Sequence, residues 1–166
     1  MALKRIVMHW SAGTHDVNAT DRQHYHEIVD GSGLRVAGDL LPEANNSTLD
    51  GVYAAHTRKF NTGAIGLSMA AMEGAKEKPF NPGNFPIKKK QLEVFLSMVA
   101  EYCDTYDITI SRENVLSHAE VQITHKVMQN GKWDITWLPG MDKPEDPIAV
   151  GDLLRDRILK VQKAIF

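Results

Sequence analysis

The strongest constraint on the fold is a long amphipathic pattern between Lys88 and Tyr106. Apolar residues recur there at helical spacing and form one stripe, which comprises Leu92, Phe95, Leu96, Val99, Tyr102, Cys103 and Tyr106. A helix with a single apolar face must bury that face against another layer of structure. We therefore expect a helix over this segment, packed across a sheet, with Cys103 as a buried core thiol.

Short apolar runs elsewhere predict the strands of that sheet. Lys4–His9 alternates, with Ile6 and Met8 on one side and Val7 and His9 on the other. Further strands are predicted over His26–Val29, Leu34–Ala37, Gly51–Ala55, Ala64–Met69 and Asn114–Ser117. An Asp-Gly turn signal between the first two of these predicts a β-hairpin.

A second helix is predicted near the end of the chain. Asp146 fits the N-cap and Pro147 fits the first helical position. The apolar stripe of this helix comprises Val150, Leu153, Leu154, Ile158 and Val161. The sequence thus predicts an α/β fold in one domain over residues 1–166, with a mixed central β-sheet flanked by helices. We expect the Pro147–Ala164 helix on the face opposite the first long helix, or at an edge.

Composition argues against several classes of function. The net charge of −2 and the pI of about 6.4 give no sign of binding to nucleic acid or to an anionic membrane surface. The single cysteine excludes an internal disulfide framework. The sequence holds no apolar run of about 18 residues, so we expect no membrane span. The N-terminal M-A-L-K-R-I-V-M-H-W lacks the apolar segment of a secretory signal, which predicts synthesis in the cytoplasm.

The segment Leu116–Trp137 holds two candidate metal ligands, His118 and Asp134. His9, at the end of a predicted strand, is well placed to supply a third. Neutral imidazoles and a carboxylate suit a tetrahedral zinc with one position open for water. The alternative is that these are ordinary surface residues of a long loop, and spacing alone leaves both interpretations open. His125 rivals His118 as a ligand, but His118 is preferred because it directly follows a predicted strand.

Five segments between Ile6 and Trp137 carry a resemblance to a known family. They are I-V-M-H-W-S-A, Y-H-E-I-V-D-G-S-G-L-R-V-A-G, A-A-H-T-R-K-F-N-T-G-A-I-G-L, V-L-S-H-A-E-V and K-W-D. In this order they resemble the zinc-dependent N-acetylmuramoyl-L-alanine amidases, which include phage amidases historically named lysozymes, anhydro-muropeptide amidases and peptidoglycan recognition proteins. The resemblance implies hydrolysis of the amide between N-acetylmuramic acid and L-alanine in peptidoglycan.

The resemblance also implies roles for individual residues. His9, His118 and Asp134 match the zinc ligands of the family. Lys132 matches the lysine that faces the developing oxyanion. Tyr25 matches the catalytic tyrosine of the phage and recognition-protein branches. A free phenol has a pKa near 10, so we expect Tyr25 to orient the water or to hydrogen-bond the intermediate rather than to act as a base.

Other positions of the resemblance concern the substrate cleft. His56 and Asn61 match cleft residues associated with substrate. Ser68 stands where the anhydro-muropeptide branch carries a glutamate, which favours the phage-like branch. The short segment between His9 and Tyr25 predicts that the usual helix there is truncated or missing, which would widen that rim of the cleft.

Two other functions are compatible with the sequence. One is a non-catalytic module that binds muropeptide with the same fold, and the other is a different metal hydrolase or a structural domain. Non-catalytic relatives usually lose the third ligand, whereas Asp134, Lys132 and Tyr25 are all present here. We therefore expect a zinc amidase whose partner is peptidoglycan, made in the cytoplasm and acting on the cell wall after release or export.

Overall fold

A mixed five-stranded β-sheet forms the centre of the protein in the computed structural model, which describes residues 3–165. The strands are β1 (Arg5–Trp10), β2 (Glu27–Val29), β3 (Arg35–Ala37), β4 (Ala64–Met69) and β5 (Val115–Ser117). Their order across the sheet is β3-β2-β4-β1-β5. Neighbouring strands run parallel except for β3, which forms an antiparallel hairpin with β2. The predicted mixed sheet and its hairpin are therefore confirmed.

Over the described residues, four α-helices flank the sheet. They are α1 (Ala19–His24), α2 (Lys89–Thr105), α3 (His118–His125) and α4 (Pro147–Ile165). The two long helices, α2 and α4, begin and end close to the bounds that their apolar stripes predict. Within residues 3–165, none of the helices is both long enough and apolar enough to cross a membrane.

The alternating side chains of β1 divide the protein into two unequal layers. Ile6 and Met8 lie in the main apolar core, together with the buried faces of α2 and α4. Val7 lies in a smaller cluster on the opposite face, and His9 is buried at the end of the strand. Cys103 of α2 is buried in the main core, as its place on the apolar stripe predicts. The face opposite α2 and α4 is thus free to carry a polar site.

Helix α4 lies beside α2 rather than on the opposite face. Both helices contribute to one apolar core, and α4 also contacts the edge strand β5. Of the two placements that the sequence left open, the edge is observed. Leu153, assigned to the apolar stripe, is 55% exposed, because the buried face follows Val150, Leu154 and Ile158 instead.

The predicted strand over Gly51–Ala55 is wrong. This stretch forms no strand, and the chain before it contains a 3-10 helix, Pro42–Asn46. The cause is the buried side chain of Asn45, which accepts a hydrogen bond from the Ala54 N–H at 2.9 Å and donates one to the Ala54 carbonyl at 2.9 Å. A side chain therefore pairs with the polar backbone groups that a strand would have offered to a neighbour.

The neutral imidazole of His26 links the segment that contains Asn45 to the sheet through two hydrogen bonds. Its Nδ1 accepts the N–H of Gly66 in β4 at 3.1 Å, and its Nε2 donates to Asn45 Oδ1 at 3.0 Å. If Nδ1 were protonated, its N–H would point at the N–H of Gly66, and the hydrogen bond would be lost. Burial lowers the pKa of His26 to about 4, which agrees with that geometry.

His26 is expected to make the protein sensitive to acid. The unfolded chain takes up this proton near pH 6.5, whereas the folded protein takes it up only near pH 4. The free energy of unfolding should therefore fall as the pH drops between these values. His26→Gln, which offers a donor and an acceptor but does not titrate, should show a shallower fall in urea-unfolding midpoint over the same pH range. Equal slopes for the two proteins would contradict the role given to His26.

Candidate metal centre

Three buried side chains converge at the carboxyl end of β1. One potential ligand atom from each of His9, His118 and Asp134 lies within 4.8 Å of the others. His9 Nδ1 is 3.2 Å from Asp134 Oδ2, and His118 Nδ1 is 3.3 Å from Asp134 Oδ1. The two Nδ1 atoms thus face one carboxylate from different sides.

The sheet explains why residues so far apart in sequence meet here. Strands β1 and β5 are parallel neighbours in which Met8 pairs with Ser117, so that His9 and His118 both follow directly at the same end. Their ring centroids are 4.8 Å apart. Asp134 is held to them through its backbone, because its carbonyl accepts the N–H of Ala119 at 2.6 Å.

Helix α3 begins at His118 itself, where the sequence indicated a loop. Ser117 is its N-cap, and Glu120 reaches back to accept the Ser117 N–H at 2.7 Å. This bond is the glutamate half of a capping box, and the S-H-A-E pattern that predicts one is visible in the sequence. The ligand His118 therefore lies in a capped first turn, which fixes its backbone.

The surroundings of His9 and Asp134 favour the protonation states that bind metals, a neutral imidazole and an ionised carboxylate. Burial lowers the pKa of His9 to about 4, so that its imidazole is neutral at pH 7. Burial would raise the pKa of Asp134, but the charge and hydrogen bond of His118, with a further hydrogen bond from His9, hold it at about 2. The pKa of His118 is raised because Asp134 outweighs burial, so a cation must displace its proton.

The outer nitrogen of His118 binds Gln129, a residue that the sequence analysis missed. Gln129 Nε2 donates to the Arg58 carbonyl at 2.9 Å, which leaves its Oε1 to accept from His118 Nε2 at 2.7 Å. Because Nε2 carries one proton, displacement of the other proton from Nδ1 would leave a lone pair on the atom that faces Asp134, where a metal can bind. Gln129 is therefore the hydrogen-bond acceptor that a metal-binding imidazole needs for its other ring nitrogen.

His56 serves His9 in the same way. His56 Nε2 lies 3.1 Å from the Ala64 carbonyl and must donate to it, so that His56 Nδ1 is left as an acceptor 3.1 Å from His9 Nε2. This acceptor suits the His9 tautomer that carries its proton on Nε2 and offers Nδ1 to a metal in place of its hydrogen bond to Asp134. Burial places the pKa of His56 well below its usual value, which keeps the ring neutral. Gly66 lies against this ring, and an added Cβ would collide with it. The glycine of β4 thus makes room for the residue that orients His9.

Asn61 shapes the wall beside this pair. Its Oδ1 accepts the backbone N–H groups of His56 and Thr57 at 3.0 and 2.9 Å. Both His56 and Asn61 line a cavity of about 570 Å³ that is also lined by His118 and Asp134. Asn61 therefore fixes the turn that presents His56 to the cavity.

Lys132 and Tyr25 also line this cavity. Lys132 is exposed, and its positive charge is a minor influence that opposes protonation of both His9 and His118. The ring of Tyr25 lies 5.2 Å from that of His9. Burial, and next the charge of Asp134, raise the pKa of Tyr25, so its hydroxyl stays protonated at neutral pH.

Three further sequence-based expectations concern the rim. His125 lies outside the cluster, with its Nε2 2.9 Å from the Glu113 carbonyl. The short segment before Tyr25 contains α1, a helix of only six residues, capped by Asn18. Ser68 of β4 is buried opposite His9 in the strand register, and its hydroxyl lies 3.4 Å from the Met69 carbonyl.

Comparison with solved structures shows a shared fold. LysC, an N-acetylmuramoyl-L-alanine amidase from Clostridium intestinale URNW, is 15% identical, with 75% of this chain and 76% of LysC covered and a TM-score of 0.50. AmiD from E. coli, an N-acetylmuramyl-L-alanine amidase solved with anhydro-N-acetylmuramic acid-L-Ala-D-γ-Glu-L-Lys, is 22% identical over 70% of this chain and 48% of AmiD, with a TM-score of 0.50. PlyL is 16% identical over 98% of this chain and 85% of PlyL, with a TM-score of 0.50.

Sequence comparison identifies the family. No curated protein sequence matches the chain. A model of the N-acetylmuramoyl-L-alanine amidase family, in contrast, matches residues 1–140, a range that contains all three converging side chains and the cavity above them. The chain therefore belongs to the N-acetylmuramoyl-L-alanine amidase family.

Proposed function

We propose that this amidase holds one zinc ion through His9, His118 and Asp134 and cleaves the amide between the lactyl group of N-acetylmuramic acid and L-alanine. The observation that carries the proposal is the convergence of three buried ligand atoms beneath an open cavity. Two imidazole nitrogens and a carboxylate fit zinc, and three protein ligands leave a position for water. When bound, zinc activates that water and polarises the scissile carbonyl.

The residues around the ligands support this role. Gln129 accepts from the outer nitrogen of His118, and His56 Nδ1 offers an acceptor to the outer nitrogen of His9, which suits rings that bind a metal through Nδ1. The carboxylate of Asp134 is ionised, and burial keeps His9 neutral. The chain's own residues thus define the direction, the protonation state and the spacing of the donor atoms.

Lys132 supplies positive charge at the cavity. Hydrolysis of an amide develops negative charge on the carbonyl oxygen, and a cation placed in advance stabilises that charge. Lys132 borders the cavity, and its charge opposes protonation of both His9 and His118. We assign it to the developing oxyanion rather than to the metal.

Tyr25 acts as a hydrogen-bonding group. Because its pKa is raised, the hydroxyl is a donor at neutral pH and a poor base. Tyr25 lines the cavity above His118 and Asp134. We propose that Tyr25 orients the attacking water or the intermediate, and that Tyr25 with Ser68 marks a phage-type lytic enzyme acting on the cell wall.

The substrate is proposed to enter along the wall that contains His56 and Asn61. Both residues border the cavity, although their polar atoms also serve the framework. AmiD, which shares the fold, was solved with a muropeptide whose first stem residue is L-alanine. For this chain we propose the corresponding bond of intact peptidoglycan as the point of cleavage.

Digestion of purified peptidoglycan tests the reaction. Mass spectrometry should detect free stem peptides that begin with an unblocked L-alanine, together with glycan strands stripped of peptide. A metal chelator should abolish their release, and added zinc should restore it. Binding to peptidoglycan without release of peptides would favour a non-catalytic recognition module, and cleavage at any other bond would contradict the proposal.

Single substitutions test the ligand set. The wild-type protein should contain about one zinc per chain. His118→Ala removes one of three ligands and should lose the metal after dialysis, whereas His125→Ala should keep it, because His125 bonds the Glu113 carbonyl away from the cluster. Elemental analysis measures both. Zinc retained by His118→Ala would exclude this ligand set.

A further variant tests the role of Lys132. Lys132→Ala should keep its zinc but turn over at least about 100-fold more slowly, because the lost charge acts on the transition state. Lys160→Ala, which removes an exposed lysine of α4 paired with Asp156, serves as the charge-matched control. Near-normal kcat for Lys132→Ala would contradict the proposed stabilisation of the oxyanion by Lys132.

A further inference from the structure

Helix α4 lies beyond residues 1–140, yet one of its side chains reaches the strand and helix that carry the ligand His118. Arg155 is only 5% exposed. Its Nη1 donates to the Val115 carbonyl of β5 at 3.0 Å, and its Nη2 donates to Glu120 Oε1 of α3 at 2.7 Å. One guanidinium therefore bonds both sides of the turn at which β5 becomes α3.

Glu120 extends this contact to the residue before the ligand. The carboxylate is completely buried, and its Oε2 accepts the Ser117 N–H at 2.7 Å. Gly151 of α4 packs directly against the carboxylate, and an added Cβ would collide with it. On α4, Arg155 thus hydrogen-bonds the Glu120 carboxylate, and Gly151 leaves the space that the carboxylate occupies.

The same turn carries one of the three proposed metal ligands and is hydrogen-bonded to the backbone of a second. His118 is the first residue of α3, directly after Ser117. The next N–H, that of Ala119, donates to the backbone carbonyl of Asp134 at 2.6 Å. Any shift of this turn would therefore move His118 and Asp134 relative to His9, which lies on the neighbouring strand β1.

Stability alone does not account for a buried ion pair at this place. Removing two charges from water costs about as much as their attraction returns, so apolar residues of similar volume are often as stabilising. What a guanidinium adds is direction, because its fork binds two acceptors in fixed geometry. Here two of the three acceptors lie on the strand and on the helix that together set the position of His118, and the third is Asp152 Oδ1 of α4 itself, at 2.8 Å.

We propose that Arg155, acting through Glu120, is a positioning residue of the metal centre. It holds the junction of β5 and α3 in the geometry that brings His118 and Asp134 to His9. This proposal rests on the proposed zinc function, and it gives the C-terminal helix a role in metal affinity as well as in the core.

Three variants test the proposal through zinc affinity and not through activity. Arg155→Lys keeps the charge but loses the fork. Arg155→Met leaves the charge of Glu120 buried and unpaired, which should destabilise the fold. The double variant Arg155→Met with Glu120→Met removes both charges at similar volume and should regain stability. In each folded variant, the zinc dissociation constant, measured by competition with a chromogenic chelator, should rise by about 10- to 100-fold.

A matched control separates positioning from general loss of stability. Gln91→Met removes another buried polar side chain, one that bonds the Val29 and Ala70 carbonyls beneath α2. It should lower the melting temperature but keep the wild-type zinc affinity. The visible absorption spectrum of the Co²⁺-loaded protein should likewise change in the Arg155 variants and stay as in the wild type in Gln91→Met.

The outcomes distinguish this proposal from the one on which it rests. If the wild-type protein binds no zinc, the metal centre is wrong and the positioning role falls with it. If the wild type binds zinc and the folded double variant or Arg155→Lys binds it with unchanged affinity and an unchanged Co²⁺ spectrum, the positioning role alone is overturned. Weakened affinity that follows the Arg155 variants and not Gln91→Met supports it.

Discussion

The carboxylate of Asp134, buried between the Nδ1 atoms of His9 and His118, is the interaction around which this protein is arranged. A buried carboxylate is costly unless partners compensate for lost water. Here two imidazoles provide that compensation, and their strands are adjacent in the sheet. The parallel pairing of β1 with β5, the capped start of α3 and the backbone bond from Ala119 to Asp134 together place three distant segments at one point. The cavity above that point then determines what chemistry the cluster can do.

The elements of the fold that depend on periodicity could be predicted from the sequence. The apolar stripes gave α2 and α4, and the alternation of Ile6 and Met8 with Val7 and His9 placed His9 on the face away from the main core. The strand over Gly51–Ala55 was wrong because Asn45 satisfies the backbone of Ala54, and no periodicity reveals such a bond. Helix α3 was missed although S-H-A-E predicts its cap. The side of the sheet on which α4 packs depends on the fit between two apolar faces and could not be read from either face alone.

The candidate site divides in the same way. The resemblance to the amidases pointed to His9, His118 and Asp134 before their geometry was known, and the structure brings these three together. The residues behind them, Gln129 and Arg155, are common polar types without a local motif, and their partners lie far away in the sequence. Their roles emerge only from hydrogen-bond geometry. Much of the control over a metal centre lies in this outer layer, so a family motif describes the ligands better than it describes what holds them.

The most direct test of the account is a crystal structure of the zinc-loaded protein with anomalous diffraction measured at the zinc absorption edge. The account predicts one strong anomalous peak, bounded by Nδ1 of His9, Nδ1 of His118 and the carboxylate of Asp134, with the Nε2 atoms of both histidines still bonded to His56 and Gln129. A peak at His125, coordination through the Nε2 atoms, or no peak in this cluster would contradict it.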